Sequence, residues 1–134
     1  MIKEKKDIMK ELTKAEEQIM QILWDIEKGF VKDIIAKMPD PKPAYTTVST
    51  IVRILEDKGF VGHKAYGKTH EYFPEIDKST YTKHLMKSVL SNYFGNSVKQ
   101  LVSFFSNEKG LTASELEELK KIIDKEMKDR GEKE

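Results

Sequence analysis

The sequence contains no cysteine, which excludes a disulfide framework and any metal site built from thiolates. It also lacks a long apolar run. The first residues, MIKEKKDIMKELT, mix basic and acidic side chains, so we expect neither a signal peptide nor a membrane anchor. These absences predict a cytoplasmic protein that does not bind membranes directly. Glycine and proline are sparse, and charged residues make up 35% of the chain, which favours a charge-rich, mainly helical protein.

The chain has almost no net charge, because 24 lysine and arginine residues are balanced by 23 aspartate and glutamate residues. Overall basicity therefore gives no indication of nucleic-acid binding. The distribution is uneven, however. Residues 41–70 contain five basic and two acidic residues, whereas the segment from Thr112 to the end contains six basic and eight acidic residues. A positive surface is expected only in the middle of the chain.

The first half of the chain shows three helical patterns. Thr13 and Glu16 form a capping-box pattern that starts a first helix, which we expect to end at Gly29. A short second helix fits residues 31–38 and is stopped by a proline. The third helix lies in the stretch YTTVSTIVRILEDKG, and its inward residues are Val48, Ile51, Val52 and Leu55.

After the third helix the periodicity changes from helical to alternating. Two β-prone runs, residues 60–65 and 69–73, flank Gly67, which supplies the positive φ of a tight hairpin turn. Helices followed by a hairpin in this order predict a winged helix-turn-helix domain over residues 1–76.

Residues 77–134 are predicted to be helical, with a break at Gly95-Asn96 and a last helix that starts at a second capping box, Thr112 and Glu115. These helices carry more apolar surface than one small helical hairpin can bury on itself, so we expect a second copy to cover them. The predicted fold class is mainly α with a small β-hairpin: a winged helix-turn-helix domain plus a C-terminal helical dimerisation region. The predicted dimer contacts are Leu101, Phe105, Leu116, Leu119, Ile122 and Ile123.

The outer face of the third helix carries short hydroxyl side chains and one arginine instead of the long charged residues of a solvated face. Such residues let a helix backbone approach the major groove of DNA, and arginine can bind guanine or a phosphate. We therefore predict contacts to double-stranded DNA from Thr46, Thr47, Ser49, Thr50 and Arg53, with phosphate contacts from Lys42, Lys64 and Lys68. Two other interpretations stay open. The threonines are helix caps and Tyr45 only packs against the first helix, or the winged-helix frame is a protein-interaction module without DNA binding, whose C-terminal helices bind a different protein.

Four segments, LTKAEEQIMQILWD, AYTTVSTIVRILEDKGFV, HEYFPEI and LTASELEELKKII, resemble in order and spacing the penicillinase-repressor family of regulators (the BlaI/MecI/CopY group). The resemblance spans about residues 12–124. It implies a dimeric repressor on a palindromic operator, released when a membrane metalloprotease sensor leads to cutting of its C-terminal region. Where the protease-cut branch has an Asn-Phe bond, this chain has Phe104-Phe105, the bond that the resemblance identifies for cleavage. The cysteine pairs of the copper-responsive branch are missing, which excludes copper sensing of that kind.

Other chemistry finds little support in the sequence. His63 and His70 are expected to face each other across the hairpin, but two ligands do not make a structural zinc site, so we interpret them as exposed or phosphate-facing histidines and predict no metal and no cofactor. No Ser/His/Asp order, glycine-rich phosphate loop or HExxH pattern is present, so the chain is not expected to be an enzyme.

Overall fold

The structure is a computed structural model that describes residues 11–107 and 110–133. Most of the N-terminal segment for which we expected neither signal peptide nor anchor, residues 1–10, lies outside the described residues. Contacts divide the chain into two compact units, one ending at Met86 and the other beginning at Lys87. The elements in chain order are α1 (Lys14–Ile26), α2 (Val31–Ala36), α3 (Tyr45–Asp57), β1 (Val61–Tyr66), β2 (Thr69–Pro74), α4 (Lys78–Phe94), α5 (Val98–Asn107) and α6 (Ala113–Lys133).

The capping box predicted for α1 is confirmed. The backbone N–H of Thr13 donates to Oε1 of Glu16 over 2.9 Å, and the Glu16 N–H donates to the Thr13 hydroxyl over 3.2 Å. The predicted end at Gly29 is wrong, because the helix stops at Ile26 and Glu27 takes a positive φ of 73° as its C-cap. Gly29 instead pairs with Tyr72 of β2 through two backbone hydrogen bonds of 2.8 and 2.9 Å, so this loop is attached to the edge of the hairpin.

The hairpin forms around the predicted turn. Tyr66 pairs with Thr69 across a two-residue turn in which Gly67 has a φ of 63°. Phe60, predicted as the first residue of β1, lies before the strand and is fully buried. Its carbonyl accepts a hydrogen bond from the N–H of Glu75 over 2.8 Å, which closes the base of the hairpin.

The first unit has one continuous hydrophobic core. It is formed by residues from α1, α2, α3, the hairpin and the start of α4: Ile19, Met20, Leu23, Val31, Ile34, Met38, Val48, Val52, Leu55, Phe60, Val61, Tyr72, Ile76 and Tyr81. Trp24 packs at its border, where Nε1 donates to the Ile76 carbonyl over 2.9 Å and the indole lies 6.0 Å from the Tyr81 ring. Helix order, core and hairpin therefore match the predicted winged helix-turn-helix.

The second unit consists of helices with little buried surface. The predicted break between α4 and α5 is confirmed, with φ values of 55° at Gly95 and 63° at Asn96. The Thr112–Glu115 capping box at the start of α6 is also confirmed, with hydrogen bonds of 2.9 and 3.1 Å. No described side chain from residue 87 to residue 131 is buried. Among the helices of residues 11–107 and 110–133, none has the length and apolar character to span a membrane.

Candidate nucleic-acid interface

The outer face of α3 presents all three predicted threonines. Thr46, Thr47 and Thr50 are exposed, and the Thr50 hydroxyl donates to the carbonyl of Thr46 over 2.9 Å. The residue at the N-cap is Ala44, which has no side-chain cap. The threonines are therefore not the N-cap of this helix. Their short side chains form a polar surface over its first two turns.

Ser49 does not belong to this outer face, and its predicted outward position is wrong. Only 9% of its surface is exposed, and its hydroxyl accepts a hydrogen bond from Nη2 of Arg53 over 3.3 Å. The buried face of α3 is formed by Val48, Ser49, Val52 and Leu55, while Ile51 is only half-buried.

A polar cleft lies between α3 and the hairpin. Its described lining includes the side chains of Arg53, Lys68 and His70, together with the hydroxyl-bearing Tyr45, Ser49 and Tyr72, and Val31. A neighbouring cleft shares Val31, Tyr45 and His70 and adds Phe30, Lys32 and Thr69. Burial raises the pKa of the Tyr72 phenol, and the charge of Glu56 raises it further while Arg53 opposes it. Tyr72 is therefore a neutral hydroxyl at physiological pH.

The three predicted phosphate-binding lysines have different surroundings. Lys42 donates to the carbonyls of Ala36 and Met38 and so caps the end of α2. The ammonium of Lys64 lies 5.3 Å from the centre of the Tyr66 ring. Lys68, in the hairpin turn, lines the cleft beside α3. The structure brings Lys68 and Arg53 to one site and gives Lys42 a partner within the protein.

The two hairpin histidines stack on each other, as the sequence suggested. Their ring centres are 4.0 Å apart with 6° between the planes, and Nδ1 of His63 lies 2.6 Å from Oε2 of Glu56. Parallel rings direct their nitrogen lone pairs along separate planes, which does not suit binding one ion. No group of three or more potential metal ligands occurs in the part of the chain that the structure describes.

A partly buried ion pair holds the C-terminal end of α3. Lys58, the C-cap of α3, donates to both carboxylate oxygens of Glu16 over 2.8 and 2.9 Å, and Glu16 is 4% exposed. Burial opposes ionisation of Glu16, but the hydrogen bonds from Lys58 and Thr13 and the charge of Lys58 outweigh it. The pKa of Glu16 therefore lies below its usual value. This pair connects the start of α1 to the end of α3.

Sequence reasoning assigned no role at this surface to Tyr45 or Lys32, and it favoured an exposed or phosphate-facing side chain over a metal ligand for His70. The predicted turn fixes the hairpin register, and this register indicates which hairpin side chains share a face. With Gly67-Lys68 as the turn, His63 pairs with Tyr72 and Ala65 with His70, which puts both histidines and Tyr72 on one face of the hairpin. The contact of that face with α3 depends on packing between distant segments.

The residues predicted as dimer contacts lie on α5 and α6 of the second unit. Phe105, Leu116, Ile122 and Ile123 are between 37% and 61% exposed, while Leu101 and Leu119 are half-buried. Phe104, of the bond considered for cleavage, is also half exposed, and its ring lies 5.7 Å from that of Phe94. Phe104 and Phe105 both lie inside α5, so the bond between them is in helical backbone.

These features define a winged helix-turn-helix protein with an additional helical unit. The sequence model of the family described as penicillinase repressor matches residues 12–125. The chain therefore belongs to the penicillinase repressor family, a family of transcriptional repressors.

The individual relatives are similar to this chain at low sequence identity. The methicillin resistance regulatory protein MecI of Staphylococcus aureus is 26% identical over 116 residues, which cover 86% of this chain and 94% of that protein. The penicillinase repressor of Bacillus licheniformis is 24% identical over 115 residues, covering 85% of this chain and 90% of that protein. Among solved structures, the complex structure of hsRosR-S4 covers 80% of this chain and 97% of that chain, with a TM-score of 0.52 and 14% identity, a likeness of fold alone.

Proposed function

We propose that this chain is a sequence-specific repressor that binds a palindromic operator in double-stranded DNA as a homodimer. The observation that carries the proposal is the surface of α3, where exposed Thr46, Thr47 and Thr50 stand beside a cationic cleft in a member of a repressor family. Short hydroxyl side chains allow a helix to enter the major groove, where they reach base edges. Lys64 and Lys68 of the hairpin contact phosphates on either side.

The homodimer is part of the proposal because of the unburied apolar side chains of the second unit. A monomer seldom exposes this many large apolar side chains on a few helices to water, and a second copy related by a two-fold axis covers them with the same side chains. Two α3 helices about one DNA turn apart, ~34 Å, then match an inverted repeat. We take the DNA-binding domain as residues 1–76 and the dimerisation region as residues 77–134.

The first test is a fluorescence titration of the full chain with DNA from upstream of its own gene and with a scrambled duplex of equal length, at two salt concentrations. We expect tighter binding to the upstream DNA, and weaker binding to both at higher salt because bound phosphates release counterions. No binding to either duplex at low salt would refute DNA recognition and favour the protein-interaction module.

Dimerisation is tested by replacing Leu119 and Ile123 together with glutamate. We expect a monomer in sedimentation velocity that binds the upstream DNA at least tenfold more weakly, because one DNA-binding unit makes about half the contacts. Lys121→Glu on the same helix is the control, since it adds negative charge without removing an apolar side chain. A monomeric double variant that binds as tightly as the unchanged protein would contradict the dimeric mechanism.

Release from the operator follows, in this proposal, from cutting between Phe104 and Phe105 through a membrane metalloprotease sensor. Cutting there separates the end of α5 and all of α6 from the rest of the protein, and with them five of the six proposed dimer contacts. Because the bond lies in helical backbone, α5 has to unwind locally before a protease can bind it. Immunoblotting of induced cells tests this step: a shortened product in the unchanged protein and none in a Phe104→Pro variant are expected.

A further inference from the structure

Beside the polar cleft between α3 and the hairpin lies a more apolar one, which we call the aromatic cleft. Its described lining consists of Phe30, Val31, Lys32, Tyr45, Thr69 and His70. The volume of the aromatic cleft is about 190 Å³. An apolar cavity of about 150 Å³ holds benzene, so the aromatic cleft has room for one six-membered ring. The rings of Phe30 and Tyr45 provide the surface against which such a ring packs.

The walls of the aromatic cleft are held in place by contacts within the protein. The loop before α2 is attached to β2 by the backbone pairing of Gly29 with Tyr72. The N–H of Phe30 donates to the carboxylate of Asp33 over 2.9 Å, and the Phe30 ring lies edge-on to that of Tyr66 at 5.7 Å. Because this segment is already ordered, a ligand spends little of its binding free energy on ordering it.

The aromatic cleft adjoins the polar cleft, since the two share Val31, Tyr45 and His70. The polar cleft adds Arg53 from α3 and Lys68 from the hairpin turn. Guanidinium and ammonium groups bind a carboxylate through charged hydrogen bonds. Among the described lining residues of the two clefts, none carries a carboxylate of its own. The two clefts thus place an apolar wall next to a region of positive charge.

We propose that the two clefts together bind a small aromatic carboxylate, with its ring against Phe30 and Tyr45 and its carboxylate at Arg53 and Lys68. Ligand sites are typically lined by apolar and aromatic side chains, with a few polar groups that fix the orientation of the ligand. A phosphate of DNA uses only the charged part of this surface and leaves the aromatic wall in water. A ligand with one ring and one negative charge uses both parts, which is why we assign the site to this class.

Resting on the proposed function, this ligand competes with DNA. Arg53 and Lys68 lie next to the exposed threonines of α3, so a carboxylate bound to them neutralises charge that DNA phosphates need. When two ligands exclude each other, the apparent affinity for one falls in proportion to the occupancy of the other. With the carboxylate at ten times its dissociation constant, the affinity for DNA falls about tenfold. This route to release from DNA is separate from cleavage of the chain.

Direct binding is measured by nuclear magnetic resonance titration of the full chain with benzoate, which carries one ring and one negative charge. We expect saturable binding with a dissociation constant on the order of 1 mM, because so small a ligand makes few contacts. Acetate lacks the ring and benzamide lacks the charge, so each should bind about tenfold more weakly or less. Absence of saturable benzoate binding at about ten times the expected constant, or equal binding of acetate or benzamide, would overturn the proposal.

Two pairs of variants locate the ligand. Phe30→Ala removes the aromatic wall, and its control is Tyr93→Ala on α4, where the side chain is 78% exposed and lines neither cleft. Lys68→Gln removes a charge from the polar cleft, and its control is Lys64→Gln, whose ammonium lies over the Tyr66 ring. We expect Phe30→Ala and Lys68→Gln each to weaken benzoate binding by about fivefold or more, and the controls to leave it unchanged. Unfolding curves establish that the variants fold. Unchanged benzoate binding in either cleft variant would overturn the proposal.

Competition is measured by repeating the fluorescence titration of the upstream DNA in benzoate and in acetate at equal ionic strength. We expect benzoate at ten times its dissociation constant to lower the affinity for DNA about tenfold, and acetate to leave it unchanged. Phe30 has no part in the proposed DNA contacts, so Phe30→Ala should bind DNA normally and lose the response to benzoate. Benzoate binding without an effect on DNA affinity would overturn the competition. Failure of the unchanged protein to bind either duplex without benzoate would instead refute the proposed function.

Discussion

The ion pair between Glu16 and Lys58, which attaches the end of α3 to the start of α1, gives a specific prediction about the stability of the first unit. The Glu16 side chain is 6% exposed and that of Lys58 is 26% exposed, and their atoms approach to 2.8 Å. Removing one partner of a fully buried pair costs about 3–5 kcal/mol. Because the Lys58 ammonium can turn to water, the cost here is closer to that of one lost charged hydrogen bond, about 2 kcal/mol. We expect Glu16→Gln to lower the free energy of unfolding of the first unit by this amount at pH 7.

Glutamine is chosen because its amide oxygen still accepts the hydrogen bond from the N–H of Thr13, so the capping box remains. Glu17→Gln is the control: it removes a neighbouring carboxylate from the same helix turn and therefore the same favourable interaction with the helix dipole. Urea unfolding followed by circular dichroism gives the free energies. A loss for Glu16→Gln no larger than that for Glu17→Gln would refute the reasoning.

The pH dependence of this loss follows from the lowered pKa of Glu16. A carboxylate with a lowered pKa in the folded state contributes its stability above its ordinary pKa, 4.5, and loses it as the pH falls through the folded value. The difference between the unchanged protein and Glu16→Gln should therefore be constant from pH 7 to about 5 and shrink below 4.5. A difference that stays constant down to pH 3 would show that the lost stability is not that of the ionised carboxylate.

Two further predictions concern the first unit. Trp24→Phe removes the indole N–H that donates to the Ile76 carbonyl, and we expect a loss of about 1–3 kcal/mol in the same unfolding assay; an unchanged free energy would contradict this role. Gly67 has a φ of 63°, so Gly67→Ala should destabilise the hairpin by about 1–2 kcal/mol while Gly67→Asn costs less, as measured by hydrogen exchange of β1 and β2. Equal protection in both variants would contradict the conformational argument.

Structural features that depend on residues close together in the sequence were predicted correctly. The two capping boxes, the proline that follows α2, the turn at Gly67 and the break at Gly95-Asn96 each depend on residues within one or two turns of each other. The exposed threonines of α3 belong to the same group, since their positions follow from helical periodicity. These signals were sufficient for the helix order and the hairpin, and hence for the winged helix-turn-helix.

Features that depend on packing between residues far apart in the sequence were not predicted. The outer face of α3 is predicted to include Ser49, but Ser49 is buried; Ile51, predicted as inward, packs partly buried against the core. The partner of Glu16 is 42 positions away along the chain, and no local pattern identifies Lys58. The cleft beside α3 likewise joins residues of α2, α3 and the hairpin.

The two units differ in how far each depends on a partner. The first unit buries its own core and fixes α3 at three places: at its C-terminal end through Glu16, along its inner face through Val48 and Val52, and at the hairpin through the contact of Glu56 with His63. The second unit has no buried side chain among those described from residue 87 to 131, so its helices gain little from packing on each other. In the proposed dimer, the apolar surface that orders α5 and α6 is therefore the surface that joins the two copies. Loss of α6 would then weaken operator binding without unfolding the DNA-reading unit, which is the physical requirement for a repressor that is released by a cut in its C-terminal region.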